Sequence, residues 1–272
     1  MKDLSEIKTH WEAWATTFGD DLRATTRSSN IKKLEIKALD KMIRRHACKS
    51  VKDLSILEVG CGNGFNAISL SQSLECKIEG FDFIPEMVES ANSNKSQLDK
   101  SICERIHFKI GDVLDLDLSK KYDVVFSCRC LINIPTWELQ KTAISDLTRV
   151  VKPGGILLLL ENFNDNHSEQ NNLRELVGLK RRDVAEFNNF FNYIDFKTLI
   201  NELGLSIVDE SNFSSLHDIL QYVIVPLITG GKSIYDHEVM HAVTKLLLEL
   251  EFDQEEKFGE YGQNKLVVIR NE

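Results

Sequence analysis

Ile56-Leu57-Glu58-Val59-Gly60-Cys61-Gly62-Asn63-Gly64 is the stretch on which the fold turns. Its apolar first part reads as a buried strand, and the glycines that follow stop it. A helical pattern then runs to about Leu74. Strand, glycine turn and helix in that order open a parallel α/β unit. Glycines here let the chain turn tightly and let a ligand lie against bare main chain. The spacing is GxGxG, not the GxGxxG of dinucleotide enzymes. Glu58, two places before Gly60, would repel a pyrophosphate and favour an ammonium.

Outward from this stretch the alternation continues. Strands are predicted at 77–81, 105–110, 122–127 and 156–160. Helices are predicted at 85–95, with Pro85 in the first turn, and at 136–151, with Thr136 as its cap. Pro153-Gly154-Gly155 reads as a stop signal. Such alternation implies right-handed crossovers and a parallel sheet covered on both faces. Beyond it, 162–167 reads as a polar loop and 195–203 as a helix ended by Gly204. Two further strands, 205–209 and 266–269, flank an insertion with an apolar segment at 216–228 and a helix at 233–250. Residues 1–50 read as helical, with Trp11, Trp14 and Phe18 spaced as a core-facing stripe.

Composition narrows the partners. The 272 residues are 42% hydrophobic and 28% charged, which is ordinary globular usage. A net charge of -9, with only short basic clusters such as Lys180-Arg181-Arg182, disfavours a nucleic-acid partner. The N-terminus lacks the apolar core of a signal peptide, and runs such as 156–160 and 223–228 are too short to span a bilayer. The expectation is a soluble, cytoplasmic protein without a transmembrane segment; its oligomeric state is left open. Six cysteines form no CxxC pair and no zinc spacing, so no metal is expected.

Ligands on open α/β sheets bind outside the carboxyl ends of the strands. Asp82 ends the second strand, where a carboxylate can accept both hydroxyls of a ribose. Gly111-Asp112 ends the third, where a carboxylate could accept from an adenine amino group. With Glu58 these make three acids at the ends of three consecutive strands.

In its glycine motif, Phe81-Asp82, Gly111-Asp112, the strand Tyr122-Asp123-Val124-Val125-Phe126-Ser127 and Val151-Lys152-Pro153-Gly154-Gly155, the sequence resembles the class I S-adenosylmethionine-dependent methyltransferases. The likeness covers roughly residues 50–165. It implies a doubly wound, Rossmann-like, seven-stranded and mostly parallel sheet, with the last strand antiparallel and helical lid segments added. It further implies that Gly60, Cys61 and Gly62 pass under the methionine part of S-adenosyl-L-methionine, with Glu58 nearby. Asp82 would bind ribose, Phe83 stack beside adenine, Asp112 and Val113 frame it, and Cys128 face the methionine moiety. The family's acceptor pocket lies over the fourth and fifth strand ends, here Arg129, Asn133, the loop after Glu161 and the segment 216–228.

One domain, 1–272, is expected, divided into a helical N-terminal segment (1–50), a cofactor core (51–165) and a C-terminal half (166–272). Segments 1–50 and about 211–260 are expected to close over the site, with Arg23 reaching the cofactor carboxylate. The expected activity is methyl transfer to a small-molecule or glycan acceptor, at an oxygen. Transfer to nitrogen or to a macromolecule, and cofactor binding without turnover, are the alternatives. A hydroxyl acceptor needs a base. His217 and His167 are the candidates taken forward from the set with His237 and His241, the last two reading as a surface pair.

Overall fold

In the structure, a computed structural model, residues 2–117, 119–249 and 258–271 are described. Seven strands form one sheet in the order β3-β2-β1-β4-β5-β7-β6. They are β1 (Ser55–Val59), β2 (Lys77–Asp82), β3 (Ile106–Ile110), β4 (Tyr122–Cys128), β5 (Val151–Asn162), β6 (Ser206–Ser211) and β7 (Asn264–Arg270). Strand β7 runs antiparallel to both β5 and β6, whereas β1 to β5 pair in parallel. The order reverses at β1, so a crevice opens beside the end of that strand and β4, where the glycine stretch lies.

The period of two along each strand divides the core. Ile56, Val124, Phe126, Ile156, Leu158 and Val268 point to one face. There α2 (Ser29–His46), α3 (Phe65–Leu74) and α11 (Glu238–Glu249) cover them. Leu57, Val59, Val125, Leu157, Leu159 and Val267 point to the other, under α6 (Trp137–Arg149) and α8 (Tyr193–Glu202). Helix α2 buries Ile31, Leu34, Ala38, Met42 and Ile43, the spacing of a single helical stripe. Thr136 caps α6 as predicted, its side chain accepting from the Leu139 N–H at 3.3 Å.

Two expectations change. Residues expected as a polar loop open α7 (Asn164–Leu176), whose buried face carries Asn166, His167, Gln170, Asn171 and Arg174 in place of apolar groups. Strand β5 does not begin after Pro153-Gly154-Gly155 but runs through it, because the Val151 end pairs with Tyr122. The apolar segment is helical, built from α9 (Ser215–Ile219), a π turn (Leu220–Ile224) and α10 (Val225–Ile228). The end of the helix expected over 233–250, and positions 250–257 of the expected lid, lie outside the described residues. Among the described residues no helix is long and apolar enough to cross a membrane.

Candidate active site

Asp82 closes β2 and is 8% exposed. Its carboxylate accepts from the Gly62 N–H at 2.8 Å and the Ile84 N–H at 3.0 Å, tying the glycine turn to the next strand end. Burial pushes its pKa up to about 6 against those two hydrogen bonds. Two adjoining cavities meet over it, sharing Gly60, Asp82, Phe83, Cys130 and Asn133. The larger, about 450 Å³, is walled by Phe81, Phe83, Ile110, Val113, Leu114 and Ile134, with Asp112 among its polar residues. The smaller, about 170 Å³, carries Asn63, Asn66, Asn133, Asn162, Asn188 and Gln263 together with Lys32 and Arg129.

The glycine turn is built for close approach. Gly60 and Gly62 have φ of 69° and 51°, where a side chain is strained. A Cβ on Gly62 would overlap Thr25 Cγ2, and one on Gly60 would overlap Cys130 Sγ. Bare backbone is therefore what lets the N-terminal segment and the loop after β4 close down here.

Of the expected cofactor residues, Gly60, Cys61, Gly62, Asp82, Phe83 and Cys128 line the smaller cavity, and Asp112 and Val113 the larger. Glu58 lines neither. It is fully buried behind the turn, accepting from Asn66 Nδ2 at 2.9 Å and the Ala67 N–H at 3.1 Å, so it anchors the start of α3. Burial raises its pKa to about 8. Arg23 also lines neither cavity; its side chain is 61% exposed and pairs with Asp21 at 2.8 Å. His217 is buried on α9, its Nδ1 2.8 Å from Asp218 Oδ1, away from both walls. His167 is buried on α7 edge-on to Phe190, with its pKa lowered to about 4 by burial and by neighbouring arginines. His237 caps its own helix turn, accepting from the Val239 N–H, and His241 lies 3.3 Å from Asn30.

Of the two segments expected to close over the site, the N-terminal one lies at the cavities, and a loop outside both joins it. Helix α1 (Leu4–Phe18) supplies Leu4, Ile7 and Lys8 to the larger cavity and Trp11 to the smaller. Phe187 and Asn188, from the loop between α7 and α8, complete it, and the described part of 211–260 lines neither cavity. The His10 and Phe187 rings stack at 4.2 Å, and the Lys2 N–H donates to Glu186 O at 3.2 Å. No sequence signal singled out this loop. Glu161 was equally hidden: a fully buried carboxylate accepting from Ser127 Oγ at 2.6 Å and from the N–H groups of Cys130, Leu131 and Ile132 at 3.2–3.3 Å. Burial lifts its pKa to about 7. It shapes the loop that carries Arg129, Cys130 and Asn133 to the cavities.

Residues 56–155 match the family described as "Methyltransferase domain". Over that stretch the chain is similar to the class I S-adenosylmethionine-dependent methyltransferases. It is 27% identical over 180 residues to an uncharacterized protein of Haemophilus influenzae, covering 61% of this chain and 70% of that one. It is 23% identical over 177 residues to an O-methyltransferase of Aspergillus nomiae, covering 62% and 70%. Other curated relatives are spanned over less of their length, down to 33%. The magnesium protoporphyrin IX methyltransferase of Synechocystis, solved with S-adenosylhomocysteine bound, shares the fold at a TM-score of 0.52 and 21% identity, over 65% of this chain and 74% of that one.

Proposed function

We propose that this methyltransferase carries a methyl group from S-adenosylmethionine to an oxygen of a small-molecule acceptor. One observation carries the reading: Asp82 stands where an apolar slot and an amide-rich cavity meet, at the crevice where strand order reverses. The residues fit the cofactor. Asp82 spends one lone pair of each oxygen on a backbone N–H and keeps others for two ribose hydroxyls. The slot of Phe83, Ile110, Val113 and Leu114 suits a flat base, and Asp112 at its rim can accept from an amino group. Gly60 and Gly62 line the smaller cavity beside Cys61 and Cys128, where the methionine arm would lie.

When bound, the cofactor supplies an already activated methyl on a positively charged sulfur. The chain's task is then alignment and exclusion of water. Helix α1 and Phe187 provide the cover. The match to an O-methyltransferase supports oxygen as the accepting atom. The described cysteines are all free thiols, which suits a reducing cytoplasm. Isothermal titration should show S-adenosylhomocysteine binding and no NAD binding. Label appearing on nitrogen or on protein from [methyl-³H]S-adenosylmethionine would refute the acceptor part. Binding of NAD in place of S-adenosylhomocysteine would refute the whole.

A further inference from the structure

Beyond the residues that fit the cofactor, the wall of the smaller cavity has a particular chemistry. Lys32 and Arg129 both line it. They share one carboxylate, that of Glu35, which is fully buried: Lys32 Nζ lies 3.2 Å from Oε2 and Arg129 Nε 2.6 Å from Oε1. Burial works to raise the Glu35 pKa, but the two cations outweigh it and hold the group ionised. Glu35 and ionised Asp82, which lines the same cavity, balance the two cations. A cofactor of net charge +1 would then leave one positive charge uncompensated. Such a site is costly unless an anion joins it.

The wall also lacks a base. Among the described residues lining this cavity there is no histidine or glutamate, and the one aspartate is Asp82, already placed at the ribose position. The thiols of Cys61, Cys128 and Cys130 are pushed up by burial and stay protonated at neutral pH. An alcohol would have nowhere to leave its proton, whereas a carboxylate attacks without losing one. Trp11, Ile132 and Phe187 give the wall its apolar part.

We infer that the acceptor is a carboxylic acid, held as its anion by Lys32 and Arg129 and converted to its methyl ester. This rests on the cofactor reading above and names its acceptor class. One carboxylate oxygen forms a bond to the methyl carbon while the bond from that carbon to sulfur breaks. The bonding pair returns to sulfur, leaving a neutral ester and a neutral thioether, and no proton moves. Glu35 is a positioning residue, aiming both cations without touching substrate.

The test uses the full chain loaded with S-adenosylhomocysteine, titrated with benzoate and with its neutral counterpart benzyl alcohol. Benzoate should bind and benzyl alcohol should not. Lys32→Met and Arg129→Gln should each weaken benzoate about tenfold or more, with S-adenosylhomocysteine affinity within about twofold of wild type. Each leaves Glu35 one cation, and Arg129→Lys, which keeps the charge, should retain benzoate binding and so control for folding. With [methyl-³H]S-adenosylmethionine and a panel of aromatic and aliphatic acids, the label should be released by base as volatile methanol. Base-stable label, no acid bound or methylated, or benzyl alcohol bound as well as benzoate would overturn the inference. So would loss of S-adenosylhomocysteine affinity in the variants with benzoate unaffected, since the pair would then serve the cofactor. Failure of wild type to bind S-adenosylhomocysteine would instead refute the cofactor reading.

Discussion

Replacing Glu161 by alanine should cost more than any other single change near the site that leaves the glycine turn untouched. The carboxylate accepts four hydrogen bonds, from Ser127 Oγ and from three successive N–H groups of the loop after β4. All four donors lose their acceptor at once, three of them on buried residues. A buried polar group left unpaired costs about 1–3 kcal/mol. With water entering part of the vacated space, the expected destabilisation is about 3–5 kcal/mol. For a domain of this size that lowers the melting temperature by roughly 6–20 °C. Affinity for S-adenosylhomocysteine should fall about tenfold as well, because Cys130 and Asn133 would no longer be fixed. Glutamine keeps one carbonyl acceptor and should fall between the two. Differential scanning fluorimetry and isothermal titration measure both effects. An alanine variant that melts within about 2 °C of wild type, with unchanged affinity, would refute the idea that this carboxylate organises the loop.

Three further outcomes follow from the same geometry. Asp82→Ala should weaken S-adenosylhomocysteine by about 1.5–3 kcal/mol, or roughly 10–150-fold, and also lower the melting temperature, because the Gly62 and Ile84 N–H groups lose their acceptor; calorimetry and a thermal melt check both. Gly62→Val puts a branched side chain at a φ of 51° and against Thr25, so binding should be lost beyond detection by titration while the sheet still melts cooperatively. Asp82, Glu161 and Glu58 have pKa values raised by burial to about 6, 7 and 8, so the stability they contribute is full below the ordinary carboxylate range and is lost as pH rises through 6 to 8. The melting temperature of the ligand-free protein should therefore fall across that window. Ribose hydroxyls favour ionised Asp82, so binding at pH 6 should release about half a proton, measurable by titration in two buffers of different ionisation enthalpy.

The cofactor half of the site could be read from the chain because it is local. Asp82, Gly111-Asp112 and Cys128 stand at strand ends, and period-two apolar runs locate strand ends directly. Arg129 and Asn133 came with them, lying a few residues past β4. The failures were of two physical kinds. Helix α7 hides amides and an arginine where a periodicity argument looks for leucines, so Asn164–Leu176 gave no helical signal. The contacts of Glu35 with Arg129 and of Phe187 with His10 depend on how helices settle over the sheet, which no local pattern encodes. Arg23 and Glu58 show the same limit in reverse. Both carry the right chemistry near the right place, yet Asp21 engages one at the surface and Asn66 with Ala67 the other behind the turn.

The stack of His10 on Phe187 has a consequence for traffic. The two covering pieces come from opposite halves of the chain, yet they are fastened to each other, ring to ring and Lys2 to Glu186. Neither can swing aside without parting from its mate, so they behave as double doors with a single latch. Cutting the latch with Phe187→Ala should let spent cofactor out faster, read as the release rate of S-adenosylhomocysteine, while leaving the melting temperature almost unmoved.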